Sequence, residues 1–231
     1  MKGRPDSTSS FGRKVRQCLC DFFYAVCKMI LAVIFRVLFR VRVVGYEHAS
    51  SHRGPLLVVA NHISEWDPFF MGSCLPWQVH WLGKVELFEL LGGRMAHLLR
   101  ILHCFPVDRQ KADLGAIKEI VRRLKSGRPV VVFAEGGIRC DETSLLGSAP
   151  QLKEGAAIAA IHAGCPILPI LLNGTVSLYM RRNWILFRRR MLEVVIGPVF
   201  RFESRDRAGV TAEILRHQLA LKPLLKQREI C

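Results

Sequence analysis

The sequence predicts an α/β sandwich: one domain built on a largely parallel or mixed sheet of about seven strands flanked by helices. Three observations carry that prediction. Several short runs of Val, Ile and Leu are continuous rather than alternating, as in strands buried on both faces of a sheet; 56–59 and 130–133 are the clearest. Helical patterns fall between these runs, which is the order of an α/β fold. One run ends in a polar cluster at 61–67, and open α/β sheets carry their ligand sites at such strand ends.

The elements follow in order. Residues 1–10 are polar, with Gly, Pro and four serines or threonines, and read as a loose terminus. Residues 11–44 read as an N-terminal membrane-associating helical segment. Arg13, Lys14 and Arg16 lead into an apolar stretch in which Leu19, Phe23, Val26, Ile30, Val33 and Val37 recur at three- and four-residue steps. The longest charge-free run, 29–35, falls well short of the ~20 residues a bilayer span needs. An amphipathic anchor lying in the membrane surface therefore fits best. A core-packing helix and a true span with snorkelling ends are the alternatives.

Strands are predicted at 42–46, 56–59, 80–82, 104–107, 130–133, 167–172 and 192–199, and helices at 68–74, 94–102, 112–125, 156–162 and 207–222. In 112–125, Ile117, Ile120, Val121 and Leu124 share a face, and Gly127 follows as a stop. The stretch 155–179 has no charged residue, but Gly164, Pro166, Pro169 and Asn173-Gly174 divide it into helix, turn and buried strand.

The chain has 231 residues, is half hydrophobic and carries a net charge of +15. That excludes a disordered chain and implies attraction to polyanions. A positive mean hydropathy favours an anionic membrane over nucleic acid, and there is no helix-turn-helix signature, zinc pattern or aromatic-basic RNA motif. The eight cysteines form no Cys-x-x-Cys pair. They read as reduced, mostly buried thiols in a cytoplasmic setting, with no metal site. The clusters at 13–16, 36–42, 122–125, 181–182 and 188–190 suggest a face for anionic lipid, with Trp184 and Phe187 dipping into the interface.

The chemistry gathers at 61–68. Asp67-Pro68 reads as a helix start, with Asp as cap and Pro at the first helical position. His62 can take a proton near neutral pH, and a carboxylate on its other ring nitrogen fixes the tautomer and stabilises the imidazolium. A turn between strand and helix can bring His62 and Asp67 together despite five residues of separation. A histidine satisfied in a turn beside a capping aspartate is the plainer reading of such a pair alone. No Ser or Cys in this segment has a nucleophile-elbow setting, so any hydroxyl activated here belongs to a substrate.

The company of the motif reverses that plainer reading. Asn61-His62-x4-Asp67 is followed by Cys104-Phe105-Pro106-Val107-Asp108-Arg109, by Phe133-Ala134-Glu135-Gly136-Gly137-Ile138-Arg139 and by Cys165-Pro166-Ile167-Leu168-Pro169-Ile170. Gly83-Lys84-x-Glu86-Leu87-Phe88 and Lys153-x-Gly155 lie between them. Six blocks in this order resemble the glycerolipid acyltransferase family, over about 44–202. The resemblance implies an acyltransferase domain over 45–231, with His62 and Asp67 catalytic. It implies acceptor phosphate held by Arg109, Arg139 and Lys84, and an oxyanion or acceptor site at Glu135, Gly136 and Gly137. Asn61, Lys153 and Gly155 complete the pattern. It further implies no cofactor and no metal, acyl-CoA or acyl carrier protein as donor, a lysophospholipid acceptor, membrane lipid as partner, and a place on the cytoplasmic face of a membrane.

Two departures stand out. His103 occupies a position where glycine is usual, and the third block lacks its threonine, with Arg139 one place late. Either Arg139 still reaches the phosphate or the acceptor differs from lysophosphatidate. Phe69, Phe70, Trp77, Trp81 and Phe88 are candidates for an acyl groove or for ordinary core. His80, His97, His103, His162 and His217 carry no role, although His103 adjoins a motif.

Overall fold

The computed structural model describes residues 7–107, 114–179 and 190–226. A long helix, α1 (Ser7–Leu38), leads into β1 (Arg40–Val44), the short α2 (Tyr46–Ser50) and β2 (Leu57–Ala60). Next come α3 (Asp67–Cys74), β3 (His80–Lys84), α4 (Val85–Glu89), α5 (Arg94–Ile101) and β4 (Cys104–Val107). The chain continues through α6 (Leu114–Lys125), β5 (Val130–Phe133), α7 (Gly155–Ala163), β6 (Ile167–Asn173), β7 (Met191–Ile196) and α8 (Arg207–Leu219).

The seven strands form one mixed sheet in the order β1-β7-β6-β2-β5-β3-β4. From β6 to β4 every pairing is parallel; β7 pairs antiparallel with β6, and β1 pairs parallel with β7. The C-terminal ends of five strands therefore lie along one edge. The continuous apolar runs have the predicted cause. In β2, Val58 and Ala60 join a core with Phe70, Met71 and Phe35, while Leu57 and Val59 join another with Ile120, Leu124 and Ala157. Both faces of the strand are covered, so no polar residue is admitted.

The helical reading of 11–44 is corrected at both ends. The helix is already formed at Ser7 and stops at Leu38, and Arg40–Val44 is an edge strand registered with Met191–Val195. Val41, Val43 and Val44 are β-branched, which disfavours helix and suits a pleated surface. One stripe of α1 docks on the domain. Tyr24 and Phe35 are buried, Phe35 meets the edge of Phe70, and the Gln78 side chain donates to the Asp21 carbonyl (2.7 Å). The Lys28 ammonium donates to the Leu75 carbonyl, which suits the negative end of the α3 dipole. The opposite stripe leaves Leu19, Phe22, Met29, Ile30, Val33 and Val37 exposed. Gln17–Leu38 is long and apolar enough to cross a membrane by length and composition. Counting only charge-free residues undervalued it, because Asp21, Lys28 and Arg36 interrupt it one at a time.

Other expectations fall on the described residues with mixed outcomes. Phe70, Trp81 and Phe88 are core, whereas Phe69 is exposed. Only Cys74 and Cys165 of the seven described thiols are buried, so the reading of mostly buried cysteines is corrected: Cys18, Cys20 and Cys27 lie on the outer helix α1, and Cys140 lies in an exposed loop. Arg109, Trp184, Phe187 and the clusters 181–182 and 188–189 lie outside the described residues.

Candidate active site

The polar cluster begins where β2 runs out of apolar residues. Asn61 extends the β2–β6 ladder with its side chain: Nδ2 donates to the Leu172 carbonyl (2.9 Å) and Oδ1 accepts from the Leu172 N–H (2.7 Å). The amide stands in for a further strand residue and holds the chain at the edge while it turns. His62 follows, at the C-terminal edge of the sheet.

His62 is anchored at four points. Its N–H donates to Glu135 Oε2 (2.7 Å), and its carbonyl accepts from the Arg139 N–H (2.8 Å). Its ring stacks on Phe133 at 4.1 Å between centroids, and its Nδ1 lies 2.9 Å from Asp67 Oδ2. The residue is only 6% exposed. With Nδ1 committed to the carboxylate, Nε2 is the nitrogen left for a substrate.

Asp67 is fully buried and saturated with donors. Oδ2 also accepts from the Ile63 N–H (2.7 Å) and the Ser64 N–H (2.8 Å), and Oδ1 accepts from the Thr175 hydroxyl (2.5 Å). Its predicted role as helix cap is corrected. Trp66 occupies the cap position, and the Asp67 carboxylate instead closes the turn behind it and grips the histidine. Pro68 does stand in the first turn of the helix, where its missing N–H costs nothing. Thr175, just beyond β6, was not singled out from the sequence, since nothing near it in the chain marks it.

Glu135 faces inward. Besides His62 it accepts from the Leu145 N–H (2.5 Å) and the Ser144 hydroxyl (3.3 Å), tying the 141–147 loop to the histidine. Burial pushes its carboxyl up, against the three hydrogen bonds that favour the ionised form. Of the predicted oxyanion donors, Gly136 has its N–H taken up by the Phe133 carbonyl (3.1 Å). Gly136 is glycine for two reasons: φ is 78°, and an added Cβ would lie 2.9 Å from Lys153 Cγ. Gly137 follows it, half-buried. The Lys153 N–H donates to the Ala134 carbonyl (2.7 Å), and Gly155 opens α7 with open space where a side chain would stand.

Of the predicted phosphate ligands, Arg139 lies beside His62 through its backbone, and its Nη1 donates to the Thr143 hydroxyl (3.2 Å). Lys84 is exposed at the C-terminal end of β3, two strands from β2 along the same edge, about 10 Å at ordinary strand spacing. Arg109 follows the last residue of β4 by two positions, outside the described residues. The edge thus gathers the catalytic candidates around His62, with Lys84 further along. Among the described residues no group of acidic, histidine and cysteine side chains could hold a metal ion.

His103 explains its own oddity. Its φ is 61°, in the left-handed region where glycine is unstrained, which is why glycine is usual at this point of the pattern.

The comparisons with known proteins bear on the family and the fold. A family model described as Acyltransferase matches residues 40–173, from β1 to the end of β6. The chain is 26% identical over 203 residues to the 1-acyl-sn-glycerol-3-phosphate acyltransferase of Bacillus subtilis, covering 85% of this chain and 94% of that protein. It is 29% identical over 204 residues to the enzyme of the same name from Saccharomyces cerevisiae, covering 85% of this chain and 62% of that protein. The crystal structure of the 1-acyl-sn-glycerophosphate acyltransferase PlsC from Thermotoga maritima shares the fold, with a TM-score of 0.65 at 23% identity over 90% of this chain and 83% of that one. The matched region holds the whole of the parallel edge on which His62, Asp67 and Glu135 sit, and the chain belongs to the acyltransferase family.

Proposed function

We propose that this acyltransferase moves a fatty-acyl group from acyl-CoA or acyl carrier protein to the free hydroxyl of a lysophospholipid, first of all 1-acyl-glycerol-3-phosphate, giving phosphatidate. The observation that carries the mechanism is the 2.9 Å contact of His62 Nδ1 with the buried, four-donor Asp67 carboxylate. The carboxylate keeps the proton on Nδ1, so Nε2 is the basic nitrogen. Nε2 takes the proton of the acceptor hydroxyl as its oxygen attacks the thioester carbonyl. The tetrahedral intermediate collapses with loss of thiolate, and the imidazolium returns its proton to that sulfur. No acyl-enzyme forms, and no metal or cofactor is needed.

Arg139 and Lys84, with Arg109, supply cations for the acceptor phosphate, and arginine suits that task by its paired donors. The Gly137 N–H is the remaining candidate for the oxyanion. The enzyme works at the cytoplasmic face of a membrane. The exposed apolar stripe of α1 supports contact with a membrane, as does the exposed Trp66–Phe69 pair beside His62, with ring centroids 6.0 Å apart.

A second reading keeps the chemistry and changes the acceptor to glycerol-3-phosphate, a lyso-ornithine lipid or another lysolipid. The altered third block, with Arg139 displaced by one position, favours testing it. One experiment addresses both readings. Wild-type protein and His62→Ala are given labelled acyl-CoA or acyl carrier protein with each acceptor in turn. Turnover on lysophosphatidate that vanishes in His62→Ala supports the proposal, and turnover unchanged in that variant rejects it. Preference for another acceptor selects the second reading.

A further inference from the structure

The opposite edge of the sheet carries a second polar cavity that acyl transfer does not use. It lies at the N-terminal ends of β3, β4 and β5, has a volume of about 300 Å³, and is lined by Arg100, Arg122, Arg123, Arg128, His80 and His103. His80 opens β3, His103 precedes β4, and Arg128 stands two residues before β5. Arg122 and Arg123 come from the last turn of α6, and Arg100 from that of α5.

Arginines at helix C-termini commonly serve the helix dipole alone. Three features exceed that role here. First, charge is uncompensated. Glu119 pairs with Arg122 and Arg123 (2.7 Å each), while Arg100 and Arg128 have no acidic partner among the described residues. Second, both nitrogens of His80 face guanidinium donors: Nδ1 meets Arg123 Nη1, and Nε2 lies 3.4 Å from Arg128 Nη1. A neutral imidazole accepts at one nitrogen only, so one contact sets donor against donor. Burial, helped by His103 and the arginines, pushes His80 down to about 2 and keeps it uncharged.

Third, His103 is 6% exposed, yet neither ring nitrogen makes a hydrogen bond. Asp21 Oδ1 lies 3.3 Å from Nε2 but outside hydrogen-bond geometry. The ring is held between Tyr24 (5.1 Å) and His80 (4.6 Å), so it cannot swing out to find water. A buried, unsatisfied donor beside four guanidiniums calls for a ligand with several acceptor oxygens.

We propose that this cavity binds a phosphate group, either free phosphate or the phosphate of a lipid headgroup, at the edge of the sheet opposite His62. Paired guanidinium donors match phosphate oxygens, and His103 supplies a further N–H. The cavity has room for an ester substituent. A neighbouring apolar cleft of about 630 Å³ shares Gln17 and Arg100 with it and is walled by Leu19, Phe23 and Ile101. A lipid chain would lie there against α1.

The test measures binding rather than catalysis. Thermal unfolding in neutral detergent is followed while inorganic phosphate is titrated into wild type, Arg100→Gln/Arg128→Gln, the milder single variant Arg100→Gln, and Arg53→Gln/Arg216→Gln. The last removes the same charge elsewhere. Flotation with phosphatidylcholine vesicles, alone or mixed with phosphatidate, runs in parallel. Phosphate should stabilise wild type and the charge control alike, with affinity about tenfold or more weaker in the double variant. Loss of the phosphate response in the cavity variants alone assigns the site to free phosphate. Loss of phosphatidate-dependent flotation alone assigns it to a lipid headgroup. Equal responses from all four proteins in both assays overturn the inference. Acyl transfer measured on the same samples reports on His62 separately, so either reading can fail without the other.

Discussion

Replacing Asp67 with Asn separates charge from geometry at the catalytic edge. The Asn oxygen can keep the Oδ2 position, where it still accepts from His62 Nδ1, Ile63 and Ser64. Its amide then meets the Thr175 hydroxyl, which turns to accept instead of donate. Four hydrogen bonds lose charge assistance, about 1 kcal/mol each. Removing a buried carboxylate returns several kcal/mol of desolvation, so stability should change by less than about 2 kcal/mol. The rate is a different matter. An imidazolium forming 2.9 Å from a full negative charge gains about 6 kcal/mol at an effective dielectric of ~20. Losing it lowers kcat by about 10⁴, with KM for the acceptor little changed. Steady-state kinetics on lysophosphatidate, beside urea unfolding of the same preparation, measures both quantities. A folded Asp67→Asn with kcat within about tenfold of wild type would refute a charged His62 in the transition state.

Three further outcomes follow from the same contacts. Thr175→Val removes one buried donor to Asp67 Oδ1 at nearly constant volume; urea unfolding should fall by about 1.5–3 kcal/mol, and kcat by far less than in Asp67→Asn, since the Oδ2 grip on His62 remains. Glu135→Gln must turn its amide towards either the His62 N–H or the Leu145 N–H. A donor against a donor costs about 1–3 kcal/mol, and kcat should drop with stability; an unaffected kcat at reduced stability would show that the His62 backbone does not depend on Glu135. His80 is lowered from 6.5 to about 2, so between those values the unfolded chain binds the proton and the folded chain does not. Its contribution is intact above pH 6.5 and is lost on acidification at about 1.4 kcal/mol per pH unit. Denaturant unfolding at a series of pH values should show that slope reduced in His80→Asn, and an unchanged slope would contradict a neutral buried His80.

The order of elements was legible because it rests on short-range pattern. β4 and β5 have the predicted bounds, 104–107 and 130–133, and α3 differs from its prediction by one residue. The pairing of His62 with Asp67 was legible for the same reason, since strand, turn and helix start lie within a few residues. What the pattern could not carry is contact between distant segments. Thr175 meets Asp67 across 108 positions, and Glu135 meets the His62 N–H across 73. Thr175 looks like an ordinary polar residue after a strand, and Glu135, although marked by its motif, shows no sign of bonding the His62 N–H until parallel pairing brings the strand ends to one edge. At the end of α1 the strand predicted at 42–46 exists but begins two residues earlier, at Arg40, and the pairing with Met191–Val195 that sets its start joins segments about 150 positions apart.

The docking of α1 favours lying on a membrane over spanning it. Asp21, Tyr24, Lys28 and Phe35 contact the domain over 14 residues, about 21 Å of helix. To cross a bilayer the helix would have to leave α3 and strip Tyr24 and Phe35 of their packing. It would also carry Asp21 and Lys28 into hydrocarbon, at roughly 2.5–3.5 kcal/mol each near the centre. Lying in the interface keeps every one of those contacts and covers Leu19, Phe22, Met29, Ile30, Val33 and Val37, which water otherwise meets. On the proposed function, a helix docked in this way would hold the domain against the lipid surface, where a lysolipid hydroxyl could reach Nε2 of His62 without its acyl chain leaving the membrane. Cysteine labelling at Gln17, exposed on the side away from the apolar stripe, tests the orientation: in Gln17→Cys compared with a Cys18→Ser parent, a water-soluble maleimide added outside sealed vesicles bearing the enzyme on their outer face should react with the new thiol, whereas a helix spanning with residues 17 to 38 would carry it to the far side, out of reach.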